Sequence, residues 1–170
     1  MCHGVHHYLT LCANQTLTLC SCMKALWLDE EPESLTYEIR LLTARGWSVD
    51  LSNHVEEAKT RIASATYDVL ICDLILPRNS FDCTTCFVDI DAGIEFIDHV
   101  RNPSRPGQTS ATVPIIVCTA RLAAGAALSK FESPSAVLFL LTKPIPQDDF
   151  TRAAALVEQT GPSATRPRQP

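Results

Sequence analysis

The chain alternates short, strongly apolar runs with longer stretches in which apolar residues recur every three or four positions. The apolar runs predict five strands, at residues 24–28, 47–51, 69–73, 113–118 and 136–141. The amphipathic stretches predict five helices, at residues 34–44, 55–65, 93–101, 120–131 and 148–159. Strands that alternate with helices through short connections are typical of a parallel sheet covered on both faces. We therefore predict an α/β fold, a doubly wound five-stranded parallel sheet in a three-layer sandwich.

Polar residues follow four of these strands. Asp29 and Glu30 come after the first strand, Asp73 ends the third, Thr119 follows the fourth and Lys143 follows the fifth. In an open α/β sheet, ligands bind at the carboxyl ends of the strands. In the strand order 2-1-3-4-5, strands one and three are neighbours at the point where the order reverses. We therefore expect the carboxylates of Asp29, Glu30 and Asp73 to converge.

Carboxylates that converge need a cation nearby to stay ionised, because like charges raise one another's pKa. Oxygen ligands of this kind suit Mg²⁺, which keeps some of its waters. Beside Mg²⁺, the Asp73 carboxylate would act as a nucleophile toward a phosphoryl group and form an aspartyl phosphate. The Lys143 ammonium would offset charge on the phosphoryl oxygens, and the Thr119 hydroxyl would donate a hydrogen bond to one of them.

The residues around these positions form four ordered motifs. They are Leu-Asp-Glu-Glu-Pro from Leu28, Asp-Val-Leu-Ile-Cys-Asp-Leu-Ile-Leu-Pro from Asp68, Pro-Ile-Ile-Val-Cys-Thr-Ala from Pro114, and Leu-Thr-Lys-Pro-Ile from Leu141. Each motif alone is weak, but the ordered set is specific. Over roughly residues 23–159 the chain resembles a response-regulator receiver domain, the CheY-like phosphoacceptor of two-component signalling.

The resemblance implies a role for each acidic residue. Asp73 would be the phosphorylated residue, and Asp29 and Glu30 would form the acidic pair. Mg²⁺ would be coordinated by this pair, by the Asp73 carboxylate and by the backbone carbonyl of Ile75. Thus the resemblance and the chemistry of the residues point to one magnesium-dependent site.

The resemblance also implies the fold, the switch residues and the partners. The fold would be flavodoxin-like or CheY-like, Thr119 the switch hydroxyl, and Lys143 the family's lysine, with a cis bond between Lys143 and Pro144. A sensor histidine kinase or a phosphotransfer protein would donate the phosphoryl group, and a downstream protein would dock. The protein would not be an enzyme, apart from self-catalysed phosphotransfer and dephosphorylation.

Three features depart from the family pattern. Leu140 stands where the family often has an aromatic switch residue, and Phe139 beside it should point to the other face of the strand. The loop after Asp73 carries an insertion at residues 78–92, about a dozen residues longer than family loops, which ends in Asp91-Ala92-Gly93. No DNA-binding or enzymatic output domain follows, so we expect a stand-alone receiver that acts by docking.

Two other functions remain open. The missing aromatic residue and the insertion favour a pseudo-receiver, an interaction scaffold that phosphorylation does not switch. The Cys-x-x-Cys of Cys83 and Cys86 would suit a metal or redox sensor, alone or with ligands from the first residues, although a lone pair of cysteines is weak evidence. A haloacid-dehalogenase-like phosphatase is disfavoured, because its second acid would stand at Ile75.

Length and charge narrow the remaining classes. A chain of 170 residues suggests one domain, and a net charge of −5 argues against a general nucleic-acid binder. No apolar run is long enough to span a bilayer, so we expect a cytoplasmic protein without membrane insertion. We predict a disordered leader at residues 1–22, with Met23 as a possible natural start, a receiver domain at 23–160 and a disordered tail at 161–170.

Overall fold

The structure is a computed structural model that describes residues 22–80, 88–104, 107–121, 124–131, 136 and 138–160. Its strands are β1 (Lys24–Leu28), β2 (Ser48–Ser52), β3 (Val69–Cys72), β4 (Ile115–Thr119) and β5 (Leu138–Thr142). Its helices are α1 (Thr36–Ala44), α2 (Val55–Ser64), α3 (Ala92–Arg101), α4 (Ala124–Leu128) and α5 (Gln147–Thr160). Short 3₁₀ turns at Pro32–Leu35 and Ser129–Phe131 precede α1 and follow α4. None of the described helices is long and apolar enough to cross a membrane.

The five strands form one parallel sheet in the order β2-β1-β3-β4-β5. The predicted fold class and strand order are therefore confirmed. Cys72 of β3 pairs with Leu28 of β1 on one side and with Val117 of β4 on the other. This register brings the carboxyl ends of the three central strands to the same level, where the chain leaves the sheet.

Two apolar cores lie on opposite faces of the sheet, because successive side chains of a strand point to opposite faces. Leu70 and Cys72 face the core that includes residues of α2, α3 and α4. Val69 and Ile71 face the core that includes residues of α1 and α5. Since β3 is covered on both sides, all of its residues are buried, which explains its continuous apolar run.

The fourth helix differs most from its prediction. The sequence predicts a helix over residues 120–131, whereas α4 begins only at Ala124 and a 3₁₀ turn replaces its last residues. The prediction was wrong at both ends of this segment. At its start, residues 120 and 121 are not helical, and the backbone amide of Arg121 donates to the Thr119 side chain, 3.2 Å away. Small residues and Gly125 give the rest little helix-stabilising packing.

The attachment of α5 to the sheet is a first test of the fold. Phe150 of α5 is buried and stacks on Trp27 of β1, with ring centroids 5.5 Å apart. We expect Phe150→Ala to lower the free energy of unfolding by roughly 3–5 kcal/mol, because it removes a buried ring and leaves a cavity. Urea denaturation measures this change. The matched control is Leu156→Ala on the exposed side of the same helix, for which we expect a change within about 0.5 kcal/mol. Equal effects of the two changes would contradict this packing.

Candidate functional site

Asp29 and Asp73 leave the sheet side by side, directly after β1 and β3. The Asp73 amide donates to the Leu28 carbonyl at 2.9 Å, and the Asp29 amide donates to the Ser52 carbonyl at 3.0 Å. These bonds continue the parallel ladder by one residue and hold both backbones in place. Asp29 is 1% exposed and Asp73 is 3% exposed. The fold therefore buries two neighbouring carboxylates at the carboxyl edge.

A single ammonium group lies between these carboxylates. Lys143 Nζ is 2.8 Å from Asp29 Oδ2 and 2.7 Å from Asp73 Oδ2. The lysine follows β5, and its amide donates to the Thr119 carbonyl at 2.9 Å, which ties it to the end of β4. The Lys143–Pro144 peptide bond is cis. Strand ends that are far apart in the sequence thus meet in one charged cluster.

Backbone amides hold the other oxygen of each carboxylate. Asp73 Oδ1 accepts hydrogen bonds from the amides of Leu74 at 2.5 Å and Ile75 at 3.1 Å. Asp29 Oδ1 accepts one from the Glu31 amide at 3.1 Å. Both carboxylates are therefore oriented before any ligand binds, which lowers the cost of ordering them.

The cluster carries more negative than positive charge. The pKa of Glu30 is raised, first by partial burial and then by the charges of Asp73 and Asp29. Burial alone would lower the pKa of Lys143, but its hydrogen bonds to Asp29 and Asp73 outweigh burial and raise that pKa. Three carboxylates therefore share one ammonium group, and a further cation would relieve their repulsion.

The donor atoms at this edge are of the kind that Mg²⁺ prefers. Two buried carboxylates lie at this edge, and the Ile75 carbonyl follows Asp73 by two residues along the chain. Within the described residues, no three acidic, histidine or cysteine side chains are arranged closely enough to hold a metal by themselves. Mg²⁺ usually keeps several waters, so two carboxylates and one carbonyl are compatible with it. These residues therefore suit Mg²⁺, and the exposed Glu30 adds negative charge beside them.

Thr119 reaches the same edge without joining the cluster. It ends β4 and is fully buried. Its Oγ1 accepts a hydrogen bond from the Arg121 amide at 3.2 Å. The described residues show no hydrogen bond from this hydroxyl to Asp73 or Lys143. The Thr119 oxygen thus accepts a hydrogen bond within its own loop.

Solved structures similar to this chain include response regulators and their receiver domains. A response regulator of Chloroflexus aurantiacus is 22% identical with a TM-score of 0.62, over 81% of this chain and 98% of that one. The Vibrio cholerae chemotaxis response regulator CheY4 is 19% identical with a TM-score of 0.59, over 81% and 99%. A Thermotoga maritima response regulator, TrrA, solved with Mg²⁺-BeF, is 21% identical with a TM-score of 0.59, over 79% and 98%. The chain has the receiver-domain fold. No family model and no curated protein matches it.

Gly93 is a residue of this receiver fold that the sequence analysis noted only as the end of a loop. It lies in the first turn of α3, where its amide donates to the Leu74 carbonyl at 3.0 Å. A Cβ at this position would collide with the Asp73 carbonyl oxygen and would lie 2.5 Å from Leu74 Cα. Glycine therefore lets α3 press against the backbone that carries Asp73. The Asp-Ala-Gly sequence before an amphipathic helix was the signal available in the sequence.

The two neighbouring residues of β5 point to opposite faces, as the sequence predicts. Leu140 is 39% exposed, and a Cβ on Gly125 of α4 would lie 3.8 Å from it. Phe139 is partly buried against the core on the α1 and α5 side. The position where the receiver family often has an aromatic residue is therefore occupied by an exposed leucine.

The insertion is tied down at its base. Leu76 and Asp89 exchange two backbone hydrogen bonds, of 3.1 and 2.9 Å. Arg78 forms ion pairs with Asp89 and with Glu95 of α3. These contacts hold the two ends of the insertion together beside Asp73. Residues 81–87, with Cys83 and Cys86, lie outside the described residues, as do residues 1–21 and 161–170.

The close approach of Gly93 generates a prediction about stability. We expect Gly93→Ala to destabilise the protein by roughly 1–3 kcal/mol, because the new methyl group must displace the Asp73 backbone. Gly125→Ala is the matched control, since its Cβ would meet only Leu140 at ordinary contact distance. The control should be neutral or stabilising by up to about 1 kcal/mol, because alanine favours helix. Urea denaturation compares them, and a neutral Gly93→Ala would refute the close contact.

The bridging lysine generates a prediction about pH. We expect Lys143→Met to cost roughly 3–5 kcal/mol at neutral pH, because it leaves two buried carboxylates without their cation. Because the folded state raises the pKa of Lys143, the contribution of this lysine is complete below its ordinary pKa of 10.5. It is lost as the pH rises further, since only the unfolded chain has then released the proton.

Equilibrium unfolding from pH 3 to pH 11 tests this dependence. Lys130→Met serves as the control, because Lys130 is 61% exposed and only weakly paired with Asp98 at 3.9 Å. We expect the control to follow the unsubstituted protein at every pH. A Lys143→Met protein as stable as the control at neutral pH would show that the bridge does not hold the site together.

Proposed function

We propose that residues 23–160 form a phosphoacceptor module of a phosphorelay, in which Asp73 receives the phosphoryl group. The observation that carries this proposal is the buried Asp73 carboxylate, which shares the Lys143 ammonium with Asp29 at the carboxyl edge. The receiver-domain fold of the chain supports it. A structural acid at a strand end would not need a second buried carboxylate and a shared cation beside it.

The proposed reaction is the transfer of a phosphoryl group between two side chains. An Asp73 oxygen attacks phosphorus on a phosphohistidine of a sensor kinase or phosphotransfer protein. A phosphorus–oxygen bond forms, the phosphorus–nitrogen bond breaks, and the imidazole leaves with the electron pair. The product is a mixed anhydride of the Asp73 carboxyl and phosphate. The protein catalyses no other reaction in this proposal.

Two residues would stabilise the phosphorylated state. Lys143 Nζ, now 2.7 Å from Asp73, lies close enough to pair with a phosphoryl oxygen there. The Thr119 hydroxyl can donate to another, provided that its loop moves. The carboxylates of Asp29, Glu30 and Asp73 and the Ile75 carbonyl would hold Mg²⁺, which when bound neutralises charge on the phosphoryl oxygens.

Output in this proposal is the docking of a protein on the α4, β5 and α5 face. A groove between the end of β5 and the start of α5 is lined by residues that include Leu140, Lys143, Pro146 and Asp149. Lys143 therefore belongs to both the charged cluster and the groove. A change at Asp73 would reach this face through a residue that contacts both.

A second candidate is an interaction scaffold with the same fold that phosphorylation does not switch. The exposed Leu140 in place of an aromatic residue and the Thr119 hydroxyl bound within its loop favour this candidate. Binding of a downstream partner with and without a phosphoryl mimic separates the two. Equal affinity in both states would favour the scaffold.

The acceptor role is tested by incubating the protein with acetyl phosphate and Mg²⁺ and measuring its intact mass. We expect a single added phosphoryl group, which Asp73→Asn abolishes because an amide is a poor nucleophile. Asp98→Asn is the matched control, because Asp98 is 70% exposed on α3 and distant from the cluster. We expect it to take up the phosphoryl group as the unsubstituted protein does.

Two results would contradict the proposal. One is a phosphoryl group that persists in a folded Asp73→Asn protein, as judged by circular dichroism. The other is a folded, unsubstituted protein that accepts no phosphoryl group from acetyl phosphate or from any histidine-phosphorylated donor. The second result would move the scaffold candidate to first place.

A further inference from the structure

An arginine side chain connects the Thr119 loop to the base of the insertion. Arg121 lies two residues after Thr119, between β4 and α4. Its Nη1 donates to the Ile90 carbonyl at 2.7 Å and to Asp91 Oδ1 at 2.7 Å. Ile90 and Asp91 are the last residues before α3. The two loops that follow β3 and β4 are therefore cross-linked through Arg121.

The same residue holds the Thr119 hydroxyl through its backbone. The Arg121 amide donates to Thr119 Oγ1 at 3.2 Å, and Thr119 is fully buried. A movement of this hydroxyl toward a phosphoryl group on Asp73 would carry the Arg121 backbone with it. The position of Thr119 is therefore coupled to whatever holds Arg121.

At the other end of this cross-link, the Asp91 carboxylate has an unusual partner for its position. It is the N-cap residue of α3, where an aspartate normally accepts a hydrogen bond from the first turn of its own helix. Here the Asp91 side chain makes no such cap and instead pairs with Arg121. Two residues further on, Gly93 abuts the Asp73 backbone. The ion pair thus connects the Thr119 loop to the helix end that positions Asp73.

The cross-link is one that the protein can release. The Arg121 side chain is 24% exposed and that of Asp91 is 55% exposed, and ion pairs in water are individually weak. Such a pair can bias a loop between two positions without locking it. This is the property required of a contact that must be made in one state and lost in another.

We propose that Arg121 is a positioning residue that holds Thr119 away from Asp73 before phosphorylation, through its ion pair with Asp91. The pair is released when the Thr119 hydroxyl binds the phosphoryl group. This inference rests on the proposed function of Asp73. Because coupling between two sites is reciprocal, phosphorylation would in turn loosen the base of the insertion.

The direction of the change in affinity for a phosphoryl mimic distinguishes this role from a direct electrostatic effect of the Arg121 charge. Removing a cation near the site would weaken the binding of an anionic phosphoryl mimic. Removing a restraint on Thr119 would strengthen it. We therefore titrate beryllofluoride, the kind of ligand bound in the Thermotoga maritima structure, into the protein with Mg²⁺ and measure its affinity by calorimetry.

We expect Arg121→Gln to bind beryllofluoride about three- to tenfold more tightly than the unsubstituted protein. Binding of Mg²⁺ alone should change less than about twofold, because the carboxylates are untouched. Asp91→Asn should act in the same direction but more weakly, since the contact of Arg121 with the Ile90 carbonyl remains. The exchanged pair Arg121→Asp with Asp91→Arg should bring the affinity back toward that of the unsubstituted protein.

Arg78→Gln is the matched control. It removes ion pairs with Asp89 and Glu95 at the base of the same insertion, without touching the Thr119 loop. We expect its beryllofluoride affinity to match that of the unsubstituted protein. Equal tightening in Arg78→Gln and Arg121→Gln would mean general loosening of the insertion and would overturn the specific role.

Two further results would contradict the role proposed for Arg121. Unchanged or weaker beryllofluoride binding by a folded Arg121→Gln protein, beside normal binding by the unsubstituted protein, would overturn the inference alone. An unsubstituted protein that binds Mg²⁺ but no beryllofluoride, and accepts no phosphoryl group, would overturn the proposed function and this inference with it.

Discussion

The bridge from Lys143 to two buried carboxylates is the constraint on which the site depends. Asp29 and Asp73 are almost completely removed from water, and burying ionised carboxylates without a partner is costly. The ammonium at 2.7–2.8 Å from both makes their burial possible, and the parallel ladder of β1, β3 and β4 brings them together. The site is therefore a product of strand order as much as of side chains.

The same bridge leaves the site able to bind a divalent cation and a phosphoryl group. Three carboxylates around one ammonium keep a deficit of positive charge, and partial burial together with the charges of Asp73 and Asp29 raises the pKa of Glu30. A divalent cation and a phosphoryl group would enter as a nearly charge-balanced pair. Around this centre, Gly93 presses α3 against Asp73, while Arg121 ties the Thr119 loop to Asp91. The loops on the carboxyl edge thus form one connected unit rather than separate connections.

The sequence was sufficient for those features that have a local pattern. The alternation of strands and helices predicted the parallel sheet, and the polar residues after four strands predicted the edge where Asp73 and Lys143 meet. The strand order followed from the resemblance to receiver domains and not from these patterns. The predicted helix over residues 120–131 was wrong at its ends, because a run of small residues carries little periodic signal. The Arg121 amide bonds to the Thr119 side chain at one end, and a 3₁₀ turn follows α4 at the other. The Asp-Ala-Gly sequence before α3 was a local signal for Gly93, but its contact with the Asp73 backbone and the pairing of Arg121 with Asp91 join distant segments, which no local pattern shows.

The most direct test of the central claim is to locate the phosphoryl group chemically. Borohydride reduces the acyl phosphate of an aspartate to the alcohol of homoserine, which peptide mass spectrometry places at a single residue. After incubation with acetyl phosphate and Mg²⁺, we expect homoserine at position 73. Homoserine at position 29, the longer alcohol of a reduced glutamate at position 30, or no reduced residue in a phosphorylated protein would contradict the proposed acceptor.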